Sequence, residues 1–245
     1  LTDVTDAIVD TALAWAEEDC VRLAMGRAAA VSVIGMGRYG GRELNFSSDV
    51  DAILIYRPVP GHGDAEANSF ARAVVDRLRS ILQGAVSLEP RIDLDLDLRP
   101  EGRNGPLVRS LDSCAEHYAS WASTWEHQAL IRARHAAGDR ELSREFLERI
   151  ADPLRFPTTP LDDGQIGEIR RLKARMEGER LPRGVRRDRH LKLGRGGLSD
   201  VEWTVQLLQL LHAGDLPSLR TGSTTEALDA LADADIIERG NREVL

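Results

Sequence analysis

Residues 31–56 read VSVIGMGRYGGRELNFSSDVDAILIY, and they carry the strongest signals for the fold of this chain. A β-branched run over 31–34 predicts a strand, which a glycine-rich turn over 35–41 stops. A second strand pattern begins at Asp49, only eight residues after Gly41, and extends to Tyr56. This connection is too short for the helix that a dinucleotide-binding Rossmann fold needs at this point, so an NAD-dependent oxidoreductase is disfavoured.

The rest of the chain predicts an α+β protein followed by a mainly helical region. Apolar periodicity predicts helices over 4–29, 65–83 and 110–137, and strict alternation predicts a strand over 91–98. A proline-rich linker over 152–163 precedes further helices at 164–180, 199–213 and 223–238. A capping box at Ser199–Glu202 is expected to open the second of these helices. We therefore predict two domains, 1–157 and 158–245.

Composition excludes several function classes. The chain has 245 residues, a net charge of −8 and 4% aromatic residues, which disfavours nucleic-acid binding. No apolar run approaches the ~20 residues of a membrane span, and no signal peptide is evident. Cys20 and Cys114 match neither a disulfide framework nor a metal site, so a cytoplasmic protein is expected. The ends, Leu1 and Leu245, carry no capping signal, and we expect a piece of a longer protein.

Acidic residues on two predicted strands indicate metal-assisted chemistry. Asp49 and Asp51 stand two residues apart and project to one face of their strand, which suits Mg²⁺ and substrate phosphates. Asp93, Asp95 and Asp97 likewise share one face, because aliphatic residues alternate with them. If the two strands pair, one of these three carboxylates can complete a two-metal site. A solvated edge strand is the alternative. Arg99, on the same face, would supply a cation.

Four blocks of the sequence resemble the nucleotidyltransferase domains of the glutamine-synthetase adenylyltransferase family. They are spread in the family's order over about residues 31 to 210. The blocks are GMGRYGGRELNFSSDVD (35–51), DLDLRPEGRNGPLV (95–108), WEHQALIRAR (125–134) and KLGRGGLSDVEW (192–203).

The resemblance implies a nucleotidyltransferase-type mixed sheet with flanking helices and a site for Mg²⁺ and ATP. In that reading Asp49 and Asp51 bind Mg²⁺, and Asp95 is the third metal ligand. The family often has a basic residue at the position of Asp97, so Asp97 stays an alternative catalytic carboxylate. The nucleotide phosphates would be bound by Gly37, Gly40, Gly41 and Ser48, with Arg99 and Lys192 as further nucleotide-binding residues.

The implied reaction transfers AMP from ATP to a tyrosine of glutamine synthetase, which regulates nitrogen assimilation. A PII-type nitrogen-signalling protein is a further implied partner. Residues 191–211 favour the adenylylating half of the bifunctional enzyme, whereas residues 43–49 resemble the AMP-removing half. Both halves stay open at this point, and so does a nucleotide-sensing module without turnover.

Other conspicuous residues have simpler interpretations. Trp121 and Trp125 lie one helical turn apart on the predicted helix, which is typical of core packing. Glu126 and Arg134 predict an internal or inter-element ion pair. The basic run 183–189 is either a solvated turn or a contact for triphosphate or a partner. Lys192 precedes a double glycine and a predicted helix start, an arrangement that suits an anion.

Overall fold

The computed structural model describes residues 1–46, 48–84, 91–179, 190–238 and 240. They form two compact units, which we name the sheet unit (Leu1–Ala122 and Arg132–Ala151) and the helical unit (Ser123–Ile131 and Asp152–Leu245). The predicted boundary at residue 157 stays a prediction. The basic run 183–189 lies outside the described residues.

The sheet unit is built on a mixed sheet. Its described strands are β1 (Ala29–Gly35), β2 (Val50–Pro58), β3 (Leu94–Asp95), β4 (Val108–Ser110) and β5 (Arg134–Gly138). β1 lies antiparallel to both β2 and β5, and β2 lies parallel to β3 and to β4. Because the sheet mixes both directions and helices flank it, the predicted α+β class is confirmed.

Helices α1 and α3 cover the sheet with regular apolar faces. The described helices of this unit are α1 (Thr2–Cys20), α2 (Gly37–Gly40), α3 (Asp64–Leu82), α4 (Leu111–Ser120) and α6 (Arg140–Phe146). Spacings of three and four residues place apolar side chains of α1 and α3 on one face, where they are buried against β1 and β2. The core therefore lies between these two helices and the sheet.

The helical unit has its own smaller cores. Its described helices are α5 (Thr124–Leu130), α7 (Asp152–Arg155), α8 (Asp163–Glu179), α9 (Leu198–His212) and α10 (Thr224–Asp233). Val205 of α9 and Leu231 of α10 are buried together with Leu219, and Ile169 of α8 is buried with Leu210. The predicted helices at 164–180, 199–213 and 223–238 are confirmed, although the last ends earlier. In the described part of the chain, no helix combines the length and the apolar character needed to cross a membrane.

The long helix predicted over 110–137 is wrong. The chain forms α4, then α5, and then β5, which pairs with β1. The break has a local cause, because Ser123 starts a new helix through a capping box in which its N–H donates to Glu126 Oε2 at 2.8 Å. Trp121 is 75% exposed just before this cap, so its predicted core packing is also wrong. Arg134 lies on β5 and forms an inter-element ion pair with Asp6 of α1.

Two further predicted elements are shorter than expected. The strand over 91–98 is reduced to β3, because the N–H of Asp97 donates to Asp95 Oδ1 at 2.7 Å and the chain turns there. The helix over 4–29 ends earlier, with a π-helical segment at Val21–Met25. Gly26 follows at φ +60°, a conformation that favours glycine.

Candidate active site

The two acidic segments meet in the sheet. β2 and β3 are parallel with Asp51 opposite Asp95, and the N–H of Val50 donates to Asp93 O at 2.9 Å. Asp49 is exposed immediately before β2, and Asp51 and Asp95 are half-buried. The condition set by the sequence for a shared carboxylate site, that the two acidic segments pair, is therefore met.

The carboxylates fit a partial Mg²⁺ site rather than a complete one made of protein alone. Within the described ranges, no three acidic, histidine or cysteine side chains converge closely enough to hold a metal ion by themselves. Mg²⁺ is commonly bound through one or two carboxylates, with waters and substrate phosphates filling the remaining positions. Neighbouring Asp51 and Asp95 fit that donor set, and the metal-ligand roles of Asp49, Asp51 and Asp95 stay predictions.

A glycine turn packs directly against Asp51. We use this name for residues 36–43, which connect β1 to the segment before β2. The N–H of Met36 donates to Asp51 O at 2.8 Å. Gly37 has φ +50°, and a Cβ there would lie 2.8 Å from Asp51 Cγ and still nearer to Oδ2. Position 37 therefore requires glycine for its backbone conformation and for its close approach to the carboxylate.

Two of the predicted phosphate-binding glycines have structural functions inside the turn. The N–H groups of Gly40 and Gly41 donate to Met36 O at 2.6 Å and to Gly37 O at 3.0 Å. A Cβ on Gly40 would collide with the carbonyl oxygen of Arg132. Glycine at position 40 thus lets two backbone segments approach each other closely. The phosphate contacts of Gly37, Gly40 and Gly41 stay predictions.

Ser48 is hydrogen-bonded locally. Its hydroxyl donates to Asn45 Oδ1 at 2.9 Å and accepts from the N–H of Asn45 at 3.2 Å. These bonds hold the chain just before Asp49. Its predicted contact with phosphate stays a prediction.

A cleft of about 360 Å³ lies beside β3, lined by both carboxylates and guanidinium groups. The acidic residues are Asp49, Asp93, Asp95 and Asp97, and the basic ones are Arg79, Arg99 and Arg103. Sequence reasoning missed Arg79 and Arg103 as cations of this region. Arg103 belongs to a quoted family block and could have been found there. No local pattern marks Arg79, because only the fold brings the end of α3 beside β3.

The side chains of Arg99 and Asp97 form hydrogen bonds and an ion pair within the loop that follows β3. The buried Arg99 guanidinium donates to Leu96 O at 2.7 Å, Gly105 O at 2.9 Å and Arg103 O at 3.0 Å. Burial lowers the pKa of Arg99, and the nearby carboxylates of Asp97 and Asp95 oppose this shift. Asp97 accepts from Arg103 Nε at 2.6 Å. Because Asp97 pairs with arginine, Asp95 is the better candidate for the third catalytic carboxylate.

Lys192 lies in the helical unit, in an exposed turn before α9. The expected capping box at Ser199 is wrong, since Gly197 is the N-cap and no side chain caps the helix. The Asp200 carboxylate instead accepts from the N–H of Gly196 at 2.7 Å and pairs with Lys173. These bonds order the double-glycine turn through α9 and α8. The predicted phosphate contact of Lys192 stays a prediction.

A mixed sheet with an Asp-x-Asp segment, a third aspartate in register and a glycine turn against the first strand pair defines a nucleotidyltransferase-type core. Comparison with family models gives two matches. Residues 1–149 match glutamate-ammonia ligase adenylyltransferase, and residues 170–245 match GlnD PII-uridylyltransferase. The chain belongs to the glutamate-ammonia ligase adenylyltransferase family, which confirms the resemblance inferred from the sequence blocks.

Similar curated proteins are named bifunctional glutamine synthetase adenylyltransferase/adenylyl-removing enzymes. The relative from Bifidobacterium longum is 64% identical over 239 residues, covering 97% of this chain and 22% of the relative. The relative from Cutibacterium acnes is 49% identical over 245 residues, covering 100% of this chain and 24% of the relative. The relative from Mycobacterium avium is 51% identical over 217 residues, covering 89% of this chain and 22% of the relative. The chain thus spans less than a quarter of the length of these relatives.

Proposed function

We propose that this chain is a Mg²⁺-dependent nucleotidyltransferase unit that transfers AMP from ATP to a tyrosine of glutamine synthetase in the cytoplasm. The observation that carries this proposal is the register of Asp51 with Asp95 beside the glycine turn. The family supports the same chemistry, because its curated members are named for adenylyl transfer and removal.

The residues of the chain would act mainly by positioning and by charge. Asp49, Asp51 and Asp95 would hold Mg²⁺, which when bound neutralises and orients the triphosphate. The glycine turn lets the backbone approach the nucleotide next to Asp51. Arg79 and Arg103 place positive charge in the cleft beside β3, which Asp49 and Asp95 also line, and this charge favours the leaving pyrophosphate. The tyrosine hydroxyl oxygen attacks the α-phosphorus and releases its proton to solvent, the bond from the α-phosphorus to the oxygen that bridges it to the β-phosphorus breaks, and pyrophosphate leaves with that oxygen.

The AMP-removing reaction is the second candidate, because the names of the relatives include it. In that direction an oxygen of inorganic phosphate attacks the phosphorus of the AMP group, the bond from that phosphorus to the tyrosine oxygen breaks, the tyrosine oxygen takes up a proton, and ADP is released. The match of residues 170–245 to GlnD PII-uridylyltransferase weakly supports a PII-type protein as a partner. A nucleotide-sensing module without turnover is the third candidate.

The test is the intact mass of unmodified glutamine synthetase after incubation with this chain, ATP and Mg²⁺. We expect a gain of one AMP per subunit, which Asp51→Asn abolishes. Asp64→Asn, an exposed acid at the start of α3, removes the same charge elsewhere and should leave the gain intact.

The reverse assay uses adenylylated glutamine synthetase and phosphate. Release of ADP without forward transfer would assign the AMP-removing reaction instead. If neither assay yields product and the chain still binds ATP in a Mg²⁺-dependent manner, the chain would be identified as a sensing module.

A further inference from the structure

Arg134 of β5 connects α1 to the glycine turn. Its Nη1 and Nη2 donate to the two carboxylate oxygens of Asp6 at 3.0 and 2.9 Å. The same guanidinium donates through Nε to Gly40 O at 3.1 Å and through Nη2 to Tyr39 O at 3.0 Å. One planar group therefore binds a carboxylate on one side and two carbonyl groups of the turn on the other.

Those two carbonyl groups belong to a buried part of the turn. Tyr39 and Gly40 are both buried, and the Tyr39 ring lies under the Arg134 guanidinium, 4.9 Å from ring centroid to Cζ. A buried carbonyl that loses its donor is costly, so removing the guanidinium would force the turn to shift.

A shift of the turn would reach the carboxylates directly. Gly37 has no space for a Cβ against Asp51, and Met36 is hydrogen-bonded to the Asp51 carbonyl oxygen. On the opposite side, Gly40 touches the Arg132 backbone, two residues before Arg134. The glycine turn is thus packed between β5 and Asp51.

We infer that Arg134, oriented by Asp6, is a positioning residue that holds the glycine turn in register with Asp51 for nucleotide transfer. Neither residue touches the reacting atoms in this role, and both act through the turn backbone. Lysine cannot replace arginine here, because a single ammonium cannot bind Asp6, Tyr39 O and Gly40 O in one plane. This inference rests on the proposed function.

The test compares Arg134→Lys and Asp6→Asn with Arg155→Lys as a matched control. Arg155 is also a half-buried arginine that binds a carboxylate, that of Asp152, and a backbone carbonyl, that of Leu130, but it belongs to the helical unit. The measurements are kcat, the KM for each substrate, Mg²⁺–ATP affinity by calorimetry and the thermal midpoint. Kinetics are recorded well below every midpoint, so that all variants are folded.

We expect Arg134→Lys to lower kcat/KM for ATP roughly 10- to 100-fold, with the KM for glutamine synthetase unchanged. Asp6→Asn should lower it about threefold, since Arg134 keeps its bonds to the turn, and the double variant should resemble Arg134→Lys. Arg155→Lys should lower the midpoint only. Unchanged kinetics in a folded Arg134→Lys would overturn the inference, and if that variant does not fold, unchanged kinetics in Asp6→Asn would do so.

The two proposals fail in different ways. A wild-type chain with neither turnover nor Mg²⁺–ATP binding would overturn the proposed function, and this inference with it. A wild-type chain that transfers AMP as well as its folded Arg134→Lys variant does would overturn this inference alone. If the wild-type chain binds Mg²⁺–ATP without turnover, a weaker affinity in Arg134→Lys supports the positioning role, and an equal affinity contradicts it.

Discussion

Asp51 and Asp95 lie directly opposite each other on parallel strands, although 43 positions separate them in the chain. Aspartate is unfavourable in strands, and like charges on opposite positions destabilise a sheet. Two half-buried carboxylates on opposite positions are the kind of arrangement found at sites that bind a charged ligand. This relationship leads to the first prediction.

Asp95→Asn should change the stability of the chain little and lower its activity strongly. The change removes the repulsion between Asp95 and Asp51 but also the attraction between Asp95 and Arg99, so we expect metal-free stability to change by less than about 1 kcal/mol. Turnover should fall at least about 100-fold, because a charge-neutralising metal interaction is worth several kcal/mol. Urea denaturation and the AMP-transfer assay measure the two quantities. Asp97→Asn is the control, since that carboxylate pairs with Arg103, and it should keep most of the activity. Equal losses in both variants would contradict the assignment of Asp95.

Gly37→Ala and Gly26→Ala form a matched pair. Both glycines have positive φ, +50° and +60°, so both substitutions strain the backbone, by about 1–3 kcal/mol each. Nothing lies within 4 Å of a Cβ on Gly26, whereas a Cβ on Gly37 would overlap the Asp51 carboxylate. We expect Gly37→Ala to lose stability beyond Gly26→Ala and to lose AMP transfer, as thermal unfolding and the mass assay would measure. Similar activity in the two variants would show that Asp51 tolerates displacement.

Arg99→Lys should destabilise the sheet unit by about 2 kcal/mol. The substitution removes a guanidinium group that donates to three backbone carbonyls, and hydrogen bonds from charged donors are among the stronger hydrogen bonds in proteins. Arg103→Lys should leave stability almost unchanged, because Arg103 is 85% exposed and ion pairs at the surface contribute little. Denaturant titration of both variants measures the difference. If the two arginines proved equally important for stability, the structural role of Arg99 would be wrong.

Asp200→Ala should cost the helical unit about 1–2 kcal/mol, whereas Ser199→Ala should cost a few tenths of a kcal/mol. Asp200 binds Lys173 and the N–H of Gly196, whereas no side chain caps α9. The thermal midpoint of each variant provides the measurement. The reverse order of effects would restore the capping box that the sequence predicts.

Acidification below pH 6.5 should weaken folding through two histidines. Burial lowers the pKa of His127, although the carboxylates of Glu126 and Glu168 oppose this shift. Burial also lowers the pKa of His135, and the positive charge of Arg140 lowers it further. Above the unfolded pKa of 6.5, both histidines are neutral in either state and their contribution to stability is complete. As the pH falls from 6.5 towards the folded pKa values, the unfolded chain binds more protons, so the free energy of unfolding declines.

Urea titrations at pH 7.5 and 5.5 measure this dependence. The double variant His127→Gln/His135→Gln should show a smaller decline between the two pH values than the wild type. A decline of the same size in the double variant would assign the acid sensitivity to other groups.

The local patterns of the chain were sufficient for much of the fold. β1, β2 and α3 form where short strand-like runs or helical periodicity predict them, because the apolar side chains that favour each local conformation are also the ones that the fold buries. The glycine turn could also be predicted, because a run of glycines directly after a strand marks a turn. The Asp-x-Asp spacing that pointed to the site is also purely local.

The sequence-based predictions fail where contacts with other segments determine the local structure. Residues 134–138 carry no strand signal of their own and become β5 by pairing with β1, about a hundred residues away. Likewise, the alternation over 91–98 cannot reveal that the chain turns at Asp97 when its amide finds the Asp95 carboxylate.

The sequence blocks were enough to predict the family and, through that resemblance, a mixed sheet, and the spacing of the acidic residues indicated the aspartates that carry the proposed chemistry. The folded chain was needed to show that Asp95 lies opposite Asp51, that Arg99 binds backbone carbonyls, and that Arg134 links Asp6 to the glycine turn. The physical reason is that hydrogen-bond partners of buried groups are chosen by which backbone segments meet in space. Periodicity in the sequence records which face of an element is buried, but not what that face will meet.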